Sequence, residues 1–528
     1  MWQVMAQSCV PSIILLQVSI GFGGSGFNHL KHSHHYYKKK TFTSFPISVL
    51  FLNLKFFPTT KVIHKIEKCG VELKKWSLKH FGNVRKEIES KKKQLVQAEK
   101  EALRTGDNKR VKELLTALNV LTEKEARMWL QRSKVLWAKM GDKNSKYFHL
   151  RATQRFRKNS ITSLRKADGL WCNGQDEVSA TIVDYYQDLL KTTNPTHFED
   201  TTQFISTTIS EEMNAQLVAA FNAWEVQEAI KQMAPLKAPG PDGMPPLFYQ
   251  TYWDLVGDEV TSSVLHFLNS ASLPANLNHT FVTLIPKVKN PEYVSEFRPI
   301  NLCNVLYKIF SKVLANRLKR ILPNIITEHQ SAFTKSRLIS DNILVAFESL
   351  HSMQRHSGKD DYMAIKLDMS KAYDRVEWPY LEAVMRKMGF DDRWVRLMMI
   401  CVTTVSYSIL INREPKGMIT PSHGIRQGDP LSPFLFLLCT EGLHGLISQA
   451  ASRGDIKGYA LCRNSPRLTH LLFADDSLLF CRATEQECQK ILDILEIYGG
   501  YSGQHINKSK TTIFFSKNTS EARREHIK

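Results

Sequence analysis

The sequence lacks the features of a secreted or membrane-spanning protein. Its nine cysteines show neither close pairing nor the Cys/His spacing of a zinc site, so we expect reduced, mostly structural thiols. The apolar runs at residues 10–20 and 45–57 are short and interrupted by proline and polar residues, so no transmembrane helix is predicted. Residues 1–9 carry no lysine or arginine, which argues against a secretory signal.

Acidic residues are scarce in one part of the chain and abundant in the next. Residues 61–166 contain 29 lysines and arginines against 11 acids, whereas residues 167–270 contain 3 against 15. Much of the net charge of +20 is therefore concentrated in one segment, whose most natural partner is a phosphate backbone. For any single lysine, exposure to solvent on a pair of charged helices is a better explanation than contact with nucleic acid. For the whole segment we favour nucleic acid.

The hydrophobic pattern predicts an α+β protein with a helical N-terminal part. Apolar residues recur at helical spacing on both sides of residues 105–107, which predicts two long, basic, amphipathic helices that pack antiparallel. The strip 148–158 interleaves aromatic and basic residues, and either stacks on bases or forms a helix whose aromatics face a core. The turn cluster at 238–243 marks a boundary, and beyond it short apolar runs alternate with amphipathic helices. The predicted divisions are an unstructured or mispredicted segment (1–60), a basic helical extension (61–166), an acidic helical linker leading into the next domain (167–265) and the main domain (266–528).

Two adjacent carboxylates, Asp475 and Asp476, interrupt the apolar run 471–480. Burying an unpaired carboxylate is costly, so folding alone does not explain them. Asp368 ends a second strand-like run, and a helix predicted at 434–446 packs beside it. Three carboxylates from two strand ends could hold two divalent ions for in-line phosphoryl transfer. The alternative is a hairpin turn with solvated acids, but two such clusters favour a metal site.

The loop before the predicted helix offers hydrogen-bond donors and flexible backbone. Arg426 and Gln427 supply donors, while Gly424 and Gly428 let the backbone approach a planar ligand closely. On its own, this loop is weak evidence for a ligand-binding site.

Two cations follow predicted strands further upstream. A strand at 281–285 precedes Lys287, and a second apolar run ends near Arg298. As a hairpin, the two strands could present a point charge and a bidentate fork to a triphosphate. Either residue alone would be read as a surface cation.

Three segments together resemble the palm motifs of the reverse transcriptases of plant LINE-type (non-LTR) retrotransposons. They are residues 368–376, 426–433 and 473–476, which occur in the order and at separations suitable for that family. The resemblance covers roughly residues 61–528, with further similar segments at 137–149, 238–243, 284–287, 297–302, 329–333 and 506–510.

The resemblance implies an RNA-directed DNA polymerase with right-hand fingers and an antiparallel palm sheet. It implies two Mg²⁺ ions, replaceable by Mn²⁺, and an RNA template, a DNA primer and deoxynucleoside triphosphates as partners, with no membrane. The implied residues are Asp368, Asp475 and Asp476 as metal ligands, Lys287 and Arg298 on the triphosphate, Tyr373 against the sugar 2′ position, Arg426, Gln427 and Gly428 beside the incoming nucleotide, and Lys510, in preference to Lys508, as proton donor to pyrophosphate.

Several departures from the family pattern leave an alternative open. No endonuclease is seen before the polymerase motifs, and only eighteen residues follow Lys510, so we expect the thumb to be missing and the chain to be a fragment of a polyprotein. The alternative is a non-catalytic RNA- or DNA-binding remnant or a maturase-like splicing helper. The implied genomic substrate predicts a nuclear rather than a secreted protein.

Overall fold

The fold is taken from a computed structural model. It describes residues 60–81, 84–133, 145–196, 198–274, 276–462 and 465–527. The predictions for residues 1–59, and the part of the resemblance at 137–144, lie outside the described residues.

The described chain is a mixture of helices and strands, as predicted. The strands are β1 (Ser163–Arg165), β2 (Trp171–Asn173), β3 (His279–Pro286), β4 (Phe297–Cys303), β5 (Tyr362–Asp368), β6 (Ser406–Ile411), β7 (Glu414–Ile419), β8 (His470–Phe473), β9 (Asp476–Arg482) and β10 (Thr512–Phe515). The helices are α1 (Thr60–Phe81), α2 (Val84–Thr105), α3 (Lys109–Ser133), α4 (Ser145–Asn159), α5 (Gln175–Leu189), α6 (Glu199–Thr202), α7 (Glu211–Val218), α8 (Ala223–Lys231), α9 (Pro246–Thr251), α10 (Trp253–Ser270), α11 (Val305–Ile325), α12 (Ile339–Arg355), α13 (Trp378–Met388), α14 (Asp392–Thr403), α15 (Ser432–Arg453), α16 (Glu485–Ser502) and α17 (Glu521–Ile527).

The N-terminal part is helical, and the predicted break lies between α2 and α3. These two helices pack against each other through narrow apolar stripes, which include Ile88 of α2 and Leu114 of α3, and most of their other side chains are exposed. The strip 148–158 belongs to α4, which confirms that it is helical but not that its aromatics face a core. Its Phe156 does not face a core, because it is half exposed and the Arg413 guanidinium lies 4.4 Å from its ring centre.

Four strands form an antiparallel sheet in the order β10–β5–β9–β8. The predicted strand before Asp368 is confirmed as β5, and its apolar residues are buried. The acid lies at the end of this strand because the apolar run stops there. The sheet therefore carries its apolar residues into the core and its acidic residues to one end.

A second sheet, in the order β4–β3–β6–β7, contains one parallel pair, β3 with β6. The predicted hairpin is confirmed, because β3 and β4 pair antiparallel with Ile285 opposite Arg298. The backbone N–H of Lys287 then donates to Glu296 O at 2.8 Å. Lys287 and Arg298 consequently lie at the same end of the hairpin.

Helix α15 forms the centre of the largest apolar core. Among the described helices it alone is long and apolar enough to cross a membrane by length and composition, with a mean hydropathy of 1.3 in its most apolar window. However, 78% of that window is buried inside the protein, as in the core helix of a globular domain. The described cysteines are free, and most of them are buried.

Candidate active site

The structure brings the three predicted acids to one end of the first sheet. Asp368, the last residue of β5, lies directly opposite Asp476, the first residue of β9. Residues opposite each other in an antiparallel pair project from the same face of the sheet. Asp475 lies in the two-residue turn between β8 and β9, directly before Asp476. Two strand ends therefore present three carboxylates to one region.

The turn that carries Asp475 has an unusual backbone, which a buried side chain supports. Ala474 has φ of +54°, a left-handed conformation that costs free energy in a residue with a Cβ atom. Its N–H donates to Gln330 Oε1 at 3.0 Å, and the same oxygen accepts from Ala332 N–H at 3.0 Å. Gln330 is fully buried. Its amide therefore holds the turn that presents Asp475.

Asp368 is positioned by the segment that precedes β10. The side-chain amide of Asn507 donates to Asp368 Oδ2 at 3.1 Å, and Asn507 N–H donates to Asp368 O at 2.8 Å. Lys510 Nζ lies 3.8 Å from the same carboxylate oxygen. Of the two lysines considered from the sequence, Lys510 is the one that forms an ion pair with Asp368.

The three carboxylates suit hard divalent cations. Carboxylate oxygens are the donors that Mg²⁺ takes from proteins, and Asp475 and Asp476 are exposed to solvent and to ligand. Among the described residues, the three acids do not form a group whose oxygens all lie within 4.8 Å of one another. Desolvation, assisted by the charges of Asp476 and Asp368, raises the pKa of Asp475. This coupling is expected of acids that share one site.

A cluster of cations lies beside the acids. Desolvation and the neighbouring charges of Lys510 and Arg298 lower the pKa of Lys287, whose ammonium donates to Ser295 O at 3.0 Å. Arg298 is exposed and close enough to Asp475 to oppose the rise in its pKa.

Lys371, which the sequence analysis did not single out, belongs to the same cluster. Burial and then the charge of Lys287 lower its pKa to about 8. Its backbone has φ of +56°, and its ammonium donates to Phe297 O at 3.4 Å, at the loop end of the β3–β4 hairpin. Lys371 therefore links the segment after β5 to the hairpin that carries the two predicted cations.

Tyr373 lies between the acids and the core. Its ring stacks on Phe436 of α15, with centroids 5.0 Å apart and an interplanar angle of 9°. Burial, and secondarily the charge of Asp475, raise the pKa of its hydroxyl, so the ring stays neutral beside the carboxylate. Its packing fixes the aromatic face next to the acidic cluster.

Two glycines allow the loop before α15 to pack closely against neighbouring backbone. A Cβ atom on Gly424 would lie 2.7 Å from Asp374 O, and one on Gly428 would lie 3.1 Å from Asn301 O. Both glycines have positive φ, of +92° and +116°. Gln427 accepts from Asn301 N–H through its backbone, while its side-chain amide lies 3.5 Å from both oxygens of Asp374.

Arg426 does not lie free in the cleft, which corrects the prediction that it contacts the nucleotide. It is 3% exposed and forms an ion pair with Asp429 at 2.7 Å. Its guanidinium also donates to Asn278 Oδ1 and to Cys401 O, and lies 4.1 Å from the centre of the Tyr307 ring. With its donors occupied and water excluded, Arg426 holds the loop instead of binding a substrate.

Four residues that the sequence analysis did not assign support the site. They hold a predicted residue in place or add charge beside it, and they are Gln330, Asn507, Lys371 and Asp374. Each lies within a segment that resembles the family or ends a strand. Their position in these segments was the feature of the sequence that could have identified them.

Comparison with known proteins agrees with this geometry. Residues 285–524 match the family model described as reverse transcriptase (RNA-dependent DNA polymerase). The chain is 26% identical over 403 residues to the transposon TX1 uncharacterized 149 kDa protein of Xenopus laevis, which covers 75% of this chain and 30% of that protein. Over 273 residues it is 26% identical to the retrovirus-related Pol polyprotein from type-1 retrotransposable element R2 of Nasonia vitripennis, covering 50% of this chain and 25% of that protein.

A shorter match has a higher sequence identity. Over 68 residues the chain is 57% identical to an uncharacterized mitochondrial protein of Arabidopsis thaliana, covering 13% of this chain and 56% of that protein. The chain thus spans between a quarter and just over half of the length of these three relatives. Residues 285–524 form a reverse transcriptase domain homologous to those of the RNA-directed DNA polymerases of non-LTR retrotransposons.

Proposed function

We propose that this chain extends a DNA primer on an RNA template, using deoxynucleoside triphosphates. The primer 3′-hydroxyl oxygen attacks the α-phosphorus, the bond from that phosphorus to the bridging oxygen breaks, and pyrophosphate leaves. The observation that supports this best is the pairing of Asp368 opposite Asp476, with Asp475 in the adjoining turn. Two Mg²⁺ ions bound by these acids, or Mn²⁺ in their place, would lower the pKa of the attacking hydroxyl and neutralise the triphosphate.

The residues around the acids would bind and orient the nucleotide. Lys287, Arg298 and Lys371 lie together and would neutralise the triphosphate oxygens, with Arg298 as a bidentate fork. Tyr373, fixed by Phe436, would present its ring to the sugar 2′ position and exclude a ribonucleotide by contact. Gln427 and Gly428 would flank the base pair being formed, where the absence of a side chain at Gly428 permits close approach.

The architecture fits the same proposal. The sheet β10–β5–β9–β8 would be the palm, and the sheet β4–β3–β6–β7 would belong to the fingers. The predicted divisions at residues 61, 167 and 266 remain part of this proposal, with the basic helices of 61–166 on nucleic acid. The match to an Arabidopsis protein supports a plant origin, and a genomic DNA substrate would place the protein in the nucleus.

The direct test is primer extension by the full chain on a homopolymeric RNA template. Incorporation of the complementary deoxynucleotide is expected with Mg²⁺ or Mn²⁺, and none with EDTA or without template. Incorporation that ignores the template sequence, or that continues in EDTA, would contradict the proposal.

A second candidate is a nucleic-acid-binding protein without polymerase activity. The excess of cations in residues 61–166 favours it, because many of those on α2 and α3 are exposed. A salt titration separates the two functions, since phosphate contacts give a steep decline of affinity with salt. Binding with this dependence and no extension under any metal condition would favour the second candidate.

The pH dependence of nucleotide affinity should report Lys371. A lysine is charged below its pKa, so this ammonium loses its charge as the pH rises through about 8. We expect the KM for the nucleotide to rise by up to roughly tenfold between pH 7 and pH 9, equivalent to about 1.4 kcal/mol. In Lys371→Arg the charge persists, so the rise should be much smaller. Identical KM profiles for the two proteins would exclude this role.

Lys510 and Lys508 give a matched pair of exposed lysines two residues apart. If Lys510 donates a proton to the leaving pyrophosphate, Lys510→Ala should lower kcat by about 10²-fold with little change in KM. Lys508→Ala removes the same charge from the same turn and should change kcat by less than about twofold, because this side chain lacks the ion pair with Asp368. Single-turnover extension measures both. Equal losses would show that the turn acts only through its general charge.

A further inference from the structure

Three histidines converge behind the turn that carries the acids. His329 lies in the segment between α11 and α12, His444 on α15, and His470 at the start of β8. Within the described part of the chain they form the one group of three potential metal ligands whose donor atoms all lie within 4.8 Å of one another. His470 is fully buried, and the other two are partly buried.

The spacing of the donor atoms is compatible with one bound ion. His444 Nδ1 and His470 Nε2 lie 2.9 Å apart. Two nitrogens bound to a tetrahedral Zn²⁺ at about 2.0–2.1 Å are themselves roughly 3.3 Å apart. The two histidine nitrogens therefore need to move apart only slightly to bind the ion. The His329 ring stacks on His470 with centroids 4.4 Å apart and planes inclined by 16°, so it must rotate to direct a nitrogen at the same point.

Hydroxyl groups hold the second nitrogens of two of these rings. Thr469 Oγ1 lies 2.8 Å from His470 Nδ1, and Thr327 Oγ1 lies 3.2 Å from His329 Nδ1. An imidazole that donates its Nδ1–H to such a partner directs the lone pair of Nε2 at a metal. This is the arrangement that orients histidine ligands.

The surroundings keep the rings neutral, which is the form that binds metal. Burial lowers the pKa of all three, and that of His444 falls to about 4 with the neighbouring His329 contributing. At neutral pH protons therefore compete little for the ligand nitrogens.

A cavity borders the cluster at His444. It has a volume of about 530 Å³, and its lining includes His444, Ser448 and Glu441 but neither His329 nor His470. An ion could therefore approach the cluster from the side of His444.

We propose that His329, His444 and His470 bind one divalent transition-metal ion of the zinc class. Imidazole suits zinc, copper and nickel, whereas Mg²⁺ prefers oxygen, so this site differs chemically from the carboxylates. The ion would join α15, β8 and the segment before α12. That segment already pairs with β8, since Leu472 N–H donates to His329 O at 2.8 Å, and Gln330 holds the turn beyond it. The ion therefore stabilises the base of the acidic turn.

The test is equilibrium binding of Zn²⁺, and of Co²⁺ as a coloured probe, to the full chain. The protein carries Asp475→Asn and Asp476→Asn, so that binding at the carboxylates is not counted. One tight equivalent of Zn²⁺ is expected, with visible Co²⁺ absorption of a nitrogen-rich site and a thermal midpoint raised by about 2–4 °C.

His444→Ala is the informative variant, because this residue lines the cavity. It should lose one equivalent of Zn²⁺, or bind it at least tenfold more weakly, and lose the thermal shift. His266→Ala, an exposed histidine on α10, should bind as the parent does. Histidines near the N-terminus, such as His34 and His35, are present in the parent and in every variant. Any Zn²⁺ that they bind is therefore the same in all of these proteins and does not affect the comparison.

A second variant guards against loss of fold. His329→Ala lies outside the regular elements and should give the same loss of Zn²⁺ with an unchanged circular dichroism spectrum. Zn²⁺ stoichiometry and thermal shift that are equal in the parent, His444→Ala and His329→Ala would overturn the proposal. The cluster would then be a set of neutral, hydrogen-bonded histidines.

Discussion

Asp475→Asn with Asp476→Asn should lower primer extension by at least about 10³-fold, because two of the three proposed metal ligands would lose their charge. A bound metal contributes several kcal/mol to stabilising transition-state charge, and 10³-fold corresponds to about 4 kcal/mol. The amide has nearly the shape of the carboxylate, so the turn should keep its hydrogen bond from Ala474 to Gln330. Steady-state incorporation with a fixed primer–template measures the loss.

The chain offers a matched control in a second pair of adjacent acids. Asp391 and Asp392 begin α14, away from the paired strand ends, and Asp391 accepts from Arg393 N–H as the cap of the helix. Asparagine is also a good cap, so Asp391→Asn with Asp392→Asn removes the same charge at little cost. It breaks a surface ion pair of Asp392 with Arg386, which contributes little. Equal losses of activity in the two double variants would count against a metal role for the turn.

Arg426→Met should destabilise the domain by about 3–5 kcal/mol, because it leaves the carboxylate of Asp429 buried without a cation. The guanidinium also satisfies Cys401 O at 2.9 Å, and that acceptor would lose its donor. Denaturant unfolding followed by tryptophan fluorescence measures the change. Arg393→Met, at an exposed arginine, should stay within about 0.5 kcal/mol of the parent.

A double variant and a kinetic measurement separate structure from substrate binding. Asp429→Asn combined with Arg426→Met removes the unpaired charge while leaving an acceptor for Leu431 N–H, so it should be more stable than Arg426→Met alone. If Arg426 instead bound nucleotide, Arg426→Met would raise KM and leave the denaturant midpoint unchanged. That result would assign Arg426 to the nucleotide site instead of to the support of the loop.

Local patterns were enough to predict the strands and turn that carry the acids. A run of apolar residues that ends in a carboxylate identifies both β5 and the β8–β9 turn, because strand burial leaves such a pattern in the sequence. The helix predicted at 434–446 is longer, spanning Ser432–Arg453. Pro433 lies in its first turn and Gly454 follows its last residue. Its last turns face the cavity with polar residues, so the apolar pattern stops early.

Contacts between distant segments could not be predicted in the same way. Gln330 reaches the acidic turn across 144 residues of sequence, and Asn507 reaches Asp368 across 139. No local pattern encodes such a hydrogen bond. The prediction for Arg426 differs from the structure for a related reason. The sequence alone does not distinguish a buried arginine from one that faces a ligand. Its partner Asp429, three residues later, was the available signal of an internal ion pair.

If Asp368, Asp475 and Asp476 bind metal as proposed, they hold the ions at one place. With hydrogen peroxide and ascorbate added, Fe²⁺ bound at the proposed site reduces the peroxide to hydroxyl radicals that cut the nearest backbone, so the cuts report which segments lie beside the ion. Because iron also binds imidazole, the protein should carry His444→Ala. Cuts are expected beside residue 368 and beside residues 475–476, all suppressed by excess Mg²⁺. Cuts at only one of these segments, or cuts that Mg²⁺ does not suppress, would contradict it.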